Sequence, residues 1–149
     1  MNSETLATPS ATPYAAGRAP VAQHRILVVD DELPMQMLAS TIIRKLGYAS
    51  DAVSSGEEAV ELYRRSAAAG RPYDAVVMDL ALPGGISGLE ATLAIKQIHR
   101  EAKVIVSSGY LEQNARQAAL EHGFAGILPK PYTAERLSTE LRWVLKPSE

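Results

Sequence analysis

The sequence predicts an α/β fold, a doubly wound five-stranded parallel sheet with helices on both faces. Three observations carry this. Short β-branched or apolar runs recur at 25–29, 49–53, 74–78, 103–107 and 125–128. Segments of helical character fall between them, near 34–46, 56–69, 88–99 and 111–122, with a last one near 133–146. Carboxylates close two of the runs, Asp30 and Asp31 after Ile26-Leu27-Val28-Val29 and Asp79 after Ala75-Val76-Val77-Met78. Strands interleaved with helices need crossover connections, which makes the sheet parallel and buries both its faces.

The individual elements carry their own signals. Ser55-Gly56-Glu57-Glu58 and Ser87-Gly88-Leu89-Glu90 both fit a capping box, in which the hydroxyl and the glutamate three residues on satisfy orphan backbone donors. Gly47, Gly70 and Gly123 stand where helix ends call for a left-handed residue. In the last helix Leu137, Leu141, Val144 and Leu145 follow i, i+4, i+7, i+8 spacing and form one apolar stripe. No internal repeat or low-complexity tract interrupts the series after Arg25.

Ligands of such folds bind beyond the carboxyl ends of the strands, near the point where strand order reverses. Asp30, Asp31 and Asp79 all fall there. Burying an unpaired carboxylate costs several kcal/mol, so acids at matching strand ends imply a shared purpose, most simply a bound divalent cation. Ser107, Ser108 and Gly109 follow Val104-Ile105-Val106, and Pro129, Lys130 and Pro131 follow Ile127-Leu128, at equivalent edges. Acids holding Mg²⁺, a lysine neutralising phosphoryl oxygens and a serine hydroxyl donating to them make a set suited to phosphate. One acid can then act as nucleophile and form an acyl phosphate. A cis Lys130-Pro131 bond is expected to aim the ammonium back at the acids.

Composition bounds the rest. A chain of 149 residues with 46% hydrophobic content has room for one domain with a full core. Residues 1–23, rich in Ala, Ser, Thr and Pro, read as a disordered leader without the basic start and apolar centre of a secretory signal, and residues 24–149 as the domain. A net charge of -2 and the lack of any long Lys/Arg block argue against nucleic acid as a partner. The absence of cysteine excludes disulfides, thiolate metal sites and cysteine nucleophiles. Apolar runs stop far short of the roughly 20 residues that span a bilayer, so neither a membrane nor any location but the cytoplasm is expected.

Over about residues 24 to 146 the chain resembles the receiver domain of bacterial two-component response regulators. The likeness rests on Val28-Val29-Asp30-Asp31-Glu32, on Met78-Asp79-Leu80 followed by Pro83 and Gly88, on Ser107-Ser108-Gly109-Tyr110 and on Lys130-Pro131-Tyr132. It implies a flavodoxin-like fold and a phosphoprotein rather than a turnover enzyme. Asp79 would accept a phosphoryl group from a phosphohistidine of a partner histidine kinase or histidine phosphotransfer protein. Asp31 would be a direct Mg²⁺ ligand beside Asp79 and the backbone carbonyl of Ala81, with Asp30 acting through water. Ser108 matches the family hydroxyl because it precedes Gly109, and Lys130 matches the lysine that pairs with the phosphoryl group. Phosphorylation in such proteins shifts the face formed by the fourth helix, fifth strand and fifth helix, a population shift between two packings.

The sequence departs from the family pattern in places. Ile127 stands three residues before Lys130, where receivers usually carry a Tyr or Phe that swings inward on activation. The loop Pro83-Gly84-Gly85-Ile86-Ser87-Gly88 is one residue longer than the commonest pattern, and with Ser-Ser-Gly-Tyr it is more similar to receivers of hybrid sensor kinases. With four residues after Trp143-Val144-Leu145, no output domain is expected, and the output is expected to be phosphorelay or contact with a downstream protein target.

Each residue also has a plainer use. Asp30 alone would serve as a helix N-cap, Ser107 and Ser108 as turn hydroxyls and Lys130 as a solvated charge. His99 and His122 fall at helix ends, Tyr110 and Tyr132 at the sheet edge, and Trp143 reads as core or dimer-facing. Aspartate-nucleophile phosphatases and dehalogenases need a second acid two positions after the nucleophile; Ala81 fills that place after Asp79. A phosphate-binding glycine loop is missing from Asp31-Glu32-Leu33-Pro34. The alternative that keeps the fold is a degenerate receiver used as a phosphorylation-independent binding module. The phosphoryl reading further expects Asp79 exposed for modification.

Overall fold

The computed structural model describes residues 23–109 and 119–146. Five strands form one parallel sheet: β1 (Arg25–Val29), β2 (Ala49–Val53), β3 (Ala75–Asp79), β4 (Val104–Ser108) and β5 (Gly126–Pro129), in the order β2-β1-β3-β4-β5. The helices between them are α1 (Leu33–Lys45), α2 (Gly56–Ala68) and α3 (Gly88–Ile98), and a last helix spans Ala134–Val144. Residues 119–121 end the helix expected near 111–122; its earlier residues, like Tyr110 and the leader up to residue 22, lie outside the described residues.

The first two strands fall where the sequence puts them. The other three begin and end one residue later, taking in Asp79, Ser108 and Pro129. Backbone pairing continues past the apolar run, with Asp79 opposite Ser107 and Ser108 opposite Pro129. A ladder is built from main-chain groups, so a polar side chain does not end it.

Strand side chains alternate between two apolar layers. Leu27, Val29, Val76, Met78, Val104 and Val106 pack with Ala59 and Tyr63 of α2 and Ala91 and Ile95 of α3. Ile26, Val28, Ala75, Val77, Ile105 and Leu128 pack with Ala39, Ile42 and Ile43 of α1 and Leu137, Leu141 and Val144 of the last helix. Burial from both sides explains why the central strands read as continuous apolar runs, while the edge strand β2 is partly exposed. The stripe expected on the last helix is the one that packs. Leu141 is fully buried, and Leu141→Ala is expected to cost about 2–5 kcal/mol, read as a lower urea midpoint.

Helix starts follow the capping signals with one difference. At α3 the Ser87 hydroxyl accepts from Glu90 N (3.0 Å) and the Glu90 carboxylate from Ser87 N (2.8 Å), a complete box. At α2 the Ser55 hydroxyl accepts from Glu58 N, but the Glu58 carboxylate accepts from Ser54 N, one residue earlier than a box requires. Thr133 caps the last helix in the same manner. Gly47, Gly70 and Gly123 all have positive φ. The Tyr63 hydroxyl and His99 Nδ1 share a hydrogen bond of 2.7 Å, and burial pushes the Tyr63 hydroxyl up to about 12. Trp143 is 63% exposed, which removes the core reading for it. Among the described residues no helix is long and apolar enough to cross a membrane.

Candidate functional site

The strand order reverses between β1 and β3, and the two carboxylates that follow or end those strands meet there. Asp30 is buried: its Oδ1 accepts from Glu32 N (2.9 Å), and its Oδ2 lies 2.9 Å from Lys130 Nζ. Glu32, not Asp30, is the N-cap residue of α1, so the carboxylate closes a turn ahead of the helix rather than capping it. The Asp79 carboxylate accepts from Ala81 N at Oδ1 (2.9 Å) and from Lys130 Nζ at Oδ2 (3.1 Å). Asp31 is exposed and completes the cluster; ligand oxygens of Asp30, Asp31 and Asp79 lie within 4.8 Å of one another.

Lys130 is the hub. Its ammonium touches Asp30 and Asp79 and stands 3.7 Å from Glu32 Oε1. Burial alone would lower the Lys130 pKa, but its hydrogen bonds to Asp30 and Asp79 outweigh that and raise it above the ordinary lysine value. A raised lysine pKa contributes stability in full below the unfolded value and loses it only as pH passes the folded one, so this pairing is intact across the neutral range. Burial raises the Asp30 pKa, an effect that Lys130 and the Glu32 N–H partly offset and the neighbouring Asp79 reinforces. The clustered Asp30, Asp31 and Asp79 carboxylates outnumber the one ammonium, which pairs with Asp30 and Asp79, and the excess negative charge in a set of hard oxygen donors fits a divalent cation.

The surroundings fix this geometry. The Lys130-Pro131 bond is cis, as expected from the sequence, and Lys130 N donates to Ser108 O (2.8 Å). Gln36, buried on α1, donates to the carbonyl of Asp30 (2.6 Å) and to Ser54 Oγ (2.9 Å), tying the start of the β1 loop to the edge of β2. The loop after Asp79 is held by Glu57, whose carboxylate accepts from Ile86 N (2.8 Å). Gly88 opens α3 so close to β3 that a Cβ there would sit 2.3 Å from the Asp79 carbonyl oxygen. Tyr132, expected at the sheet edge, packs in the core beneath α1 and the last helix, and burial, reinforced by Asp30, pushes its hydroxyl up to about 12.

Asp30, Asp31, Asp79 and Lys130 are thus brought together. Ala81 reaches Asp79 through its N–H, Ser107 stands beside Asp79 in the ladder, and Ser108 ends β4 one residue further on. One expectation fails: the Asp79 side chain is only 3% exposed, because Asp79 is still in the ladder and the Lys130 ammonium lies over its outer oxygen. Glu32 and Gln36 join the site, although no spacing rule in the sequence marks them as site residues. Ile127 is buried against the α2–α3 layer, and its N–H donates to the buried carboxylate of Glu140 (3.2 Å).

Comparison with known proteins agrees with this arrangement. The profile of the response regulator receiver domain matches residues 26–142. The chain is 34% identical over 115 residues to the chemotaxis protein CheY of Bacillus subtilis, covering 76% of this chain and 91% of that one. It is 34% identical over 123 residues to CheY of Thermotoga maritima, covering 82% and 98%. Among solved structures, the signal receiver domain of a putative Luxo repressor protein from Vibrio parahaemolyticus superposes with a TM-score of 0.74 at 26% identity, covering 84% of this chain and 92% of that one. With its five parallel strands, its helices on both faces and its acidic cluster at the β1/β3 edge, this chain belongs to the response regulator receiver domain family.

Proposed function

We infer that Asp79 accepts a phosphoryl group from a phosphohistidine of a histidine kinase or histidine phosphotransfer protein. The chain then signals through contact with a downstream protein or passes the phosphoryl group along a relay in the cytoplasm. The observation that carries this reading is the convergence of Lys130 and two further acids on one carboxylate. An Asp79 oxygen bonds to phosphorus while the donor's P–N bond breaks, its electron pair staying on the imidazole nitrogen. The donor leaves as neutral imidazole when its other ring nitrogen carries a proton. Lys130 releases Asp79 and follows the phosphoryl oxygens, which opens the carboxylate that it now covers. Ser108 supplies a hydroxyl donor to the same oxygens.

Mg²⁺, when bound, neutralises charge between the acids and the incoming phosphoryl oxygens. Asp30, Asp31, Asp79 and the Ala81 carbonyl would hold it, and the all-oxygen donor set with its excess negative charge suits the ion. Magnesium is expected to raise the thermal midpoint of the wild type, the rise growing with the logarithm of its concentration above Kd, and Asp31→Asn to lose most of that increment, read by thermal denaturation across a magnesium titration.

Burial of Asp79 under Lys130 favours the alternative, a receiver that binds partners without phosphorylation. Beryllofluoride separates the two. Binding that requires Mg²⁺ and vanishes in Asp79→Asn supports phosphorylation, and no binding supports the degenerate module. Phosphotransfer profiling against purified kinases and phosphotransfer proteins then identifies the donor.

A further inference from the structure

Ser107 pairs directly with Asp79 across the β3–β4 ladder. Residues in register on neighbouring parallel strands share a face and stand about 5 Å apart. The Ser107 side chain therefore leaves the sheet beside the Asp79 carboxylate, on the face covered by α1 and the last helix. It is 2% exposed, and its hydroxyl is the one buried side-chain polar atom without a hydrogen-bond partner among the described residues. Its other neighbours on that face are apolar, Ile105 earlier in the strand and Leu128 across the ladder. A buried hydroxyl among hydrocarbon is costly unless a partner arrives. An alanine or valine would continue the Val104-Ile105-Val106 run without that cost.

We propose that Ser107 is a positioning residue whose hydroxyl is held in reserve for the Asp79 carboxyl group in its loaded state. In the resting form each Asp79 oxygen already has a donor, Ala81 N on one and Lys130 Nζ on the other. A phosphoryl group bonded through one of them brings three further acceptor oxygens and draws the ammonium outward. The acyl oxygen left behind, served by Ala81 N on one lone pair, then takes the nearest unused donor, the Ser107 hydroxyl, on the other. Ser107 forms and breaks no covalent bond, and its proton stays on Oγ. Its role is distinct from that of Ser108, which acts on the phosphoryl oxygens.

This inference rests on the reading of Asp79 as phosphoacceptor, and one set of titrations tests both. Beryllofluoride with Mg²⁺ is titrated into the wild-type chain, Ser107→Ala and Ser107→Thr, and the thermal midpoint of each unloaded protein is measured. Ser107→Ala is expected to bind about three- to tenfold more weakly, the range of one neutral hydrogen bond. Its unloaded midpoint should be equal to or above that of the wild type, since the variant removes an unsatisfied group. Ser107→Thr, which keeps the hydroxyl, should retain most of the affinity. Equal affinity in Ser107→Ala overturns the proposal, and so does an unloaded midpoint that falls in step with affinity, the mark of a merely structural role. If the wild type does not bind beryllofluoride at all, the reading of Asp79 falls and the role of Ser107 falls with it.

Discussion

Asp79→Asn is expected to abolish phosphoryl labelling while leaving the fold intact. The amide has no anionic oxygen to attack phosphorus, so the loss should be complete rather than partial. Its effect on stability should be small or favourable. Lys130 keeps Asp30 as a partner 2.9 Å away, so no buried charge is stranded, and one of three crowded carboxylates is neutralised. The unloaded thermal midpoint should thus equal or exceed that of the wild type, and the magnesium-induced rise should shrink. Radiolabel transfer and thermal denaturation of the same preparation read both effects. A variant that still accepts phosphate would relocate the acceptor.

Gly88→Ala should damage stability and site together. The added Cβ would lie 2.3 Å from the Asp79 carbonyl oxygen and 2.8 Å from Leu80 Cα, backbone atoms with no rotamer to change. Overpacking of this kind costs about 1–3 kcal/mol and at times more. Relief comes only by moving the start of α3 away from β3, which displaces the segment carrying Asp79. Both a lower urea midpoint and weaker beryllofluoride binding are expected. Gly84→Ala is the useful contrast. Nothing lies within 4 Å of its Cβ, but its φ of +68° makes the residue costly by backbone conformation alone, about 1–2 kcal/mol. It should lower stability and leave affinity nearly unchanged.

The sheet was legible because its central strands are buried from both sides, which prints them as unbroken apolar runs such as Ala75-Val76-Val77-Met78. The same reasoning misplaced three strand ends by one residue, since hydrophobicity marks burial while the ladder depends on backbone pairing. That single residue matters at Asp79. Its place in the ladder, opposite Ser107, holds the Asp79 carboxylate at the sheet edge, under Lys130. Lys130 itself was legible from its place between two prolines, and the cis bond and the contacts with Asp30 and Asp79 agree with that reading. Glu32 and Gln36 were not, because their part in the site depends on how α1 lies against the strand edges. Ser108 was singled out by the glycine after it. The strand alternation that brings its neighbour Ser107 onto the Asp79 face becomes visible only with the register in hand.

The central claim is that the strand tips form one magnesium-dependent pocket in which Asp79, and no other residue, is phosphorylated. Peptide mapping of the wild-type chain after incubation with a phosphorylated histidine donor, with and without Mg²⁺, tests it most directly. The expected result is a hydroxylamine-labile acyl phosphate on the peptide carrying Asp79, formed only when magnesium is present. Phosphate on any other side chain, or labelling of Asp79 that is indifferent to magnesium, would contradict it.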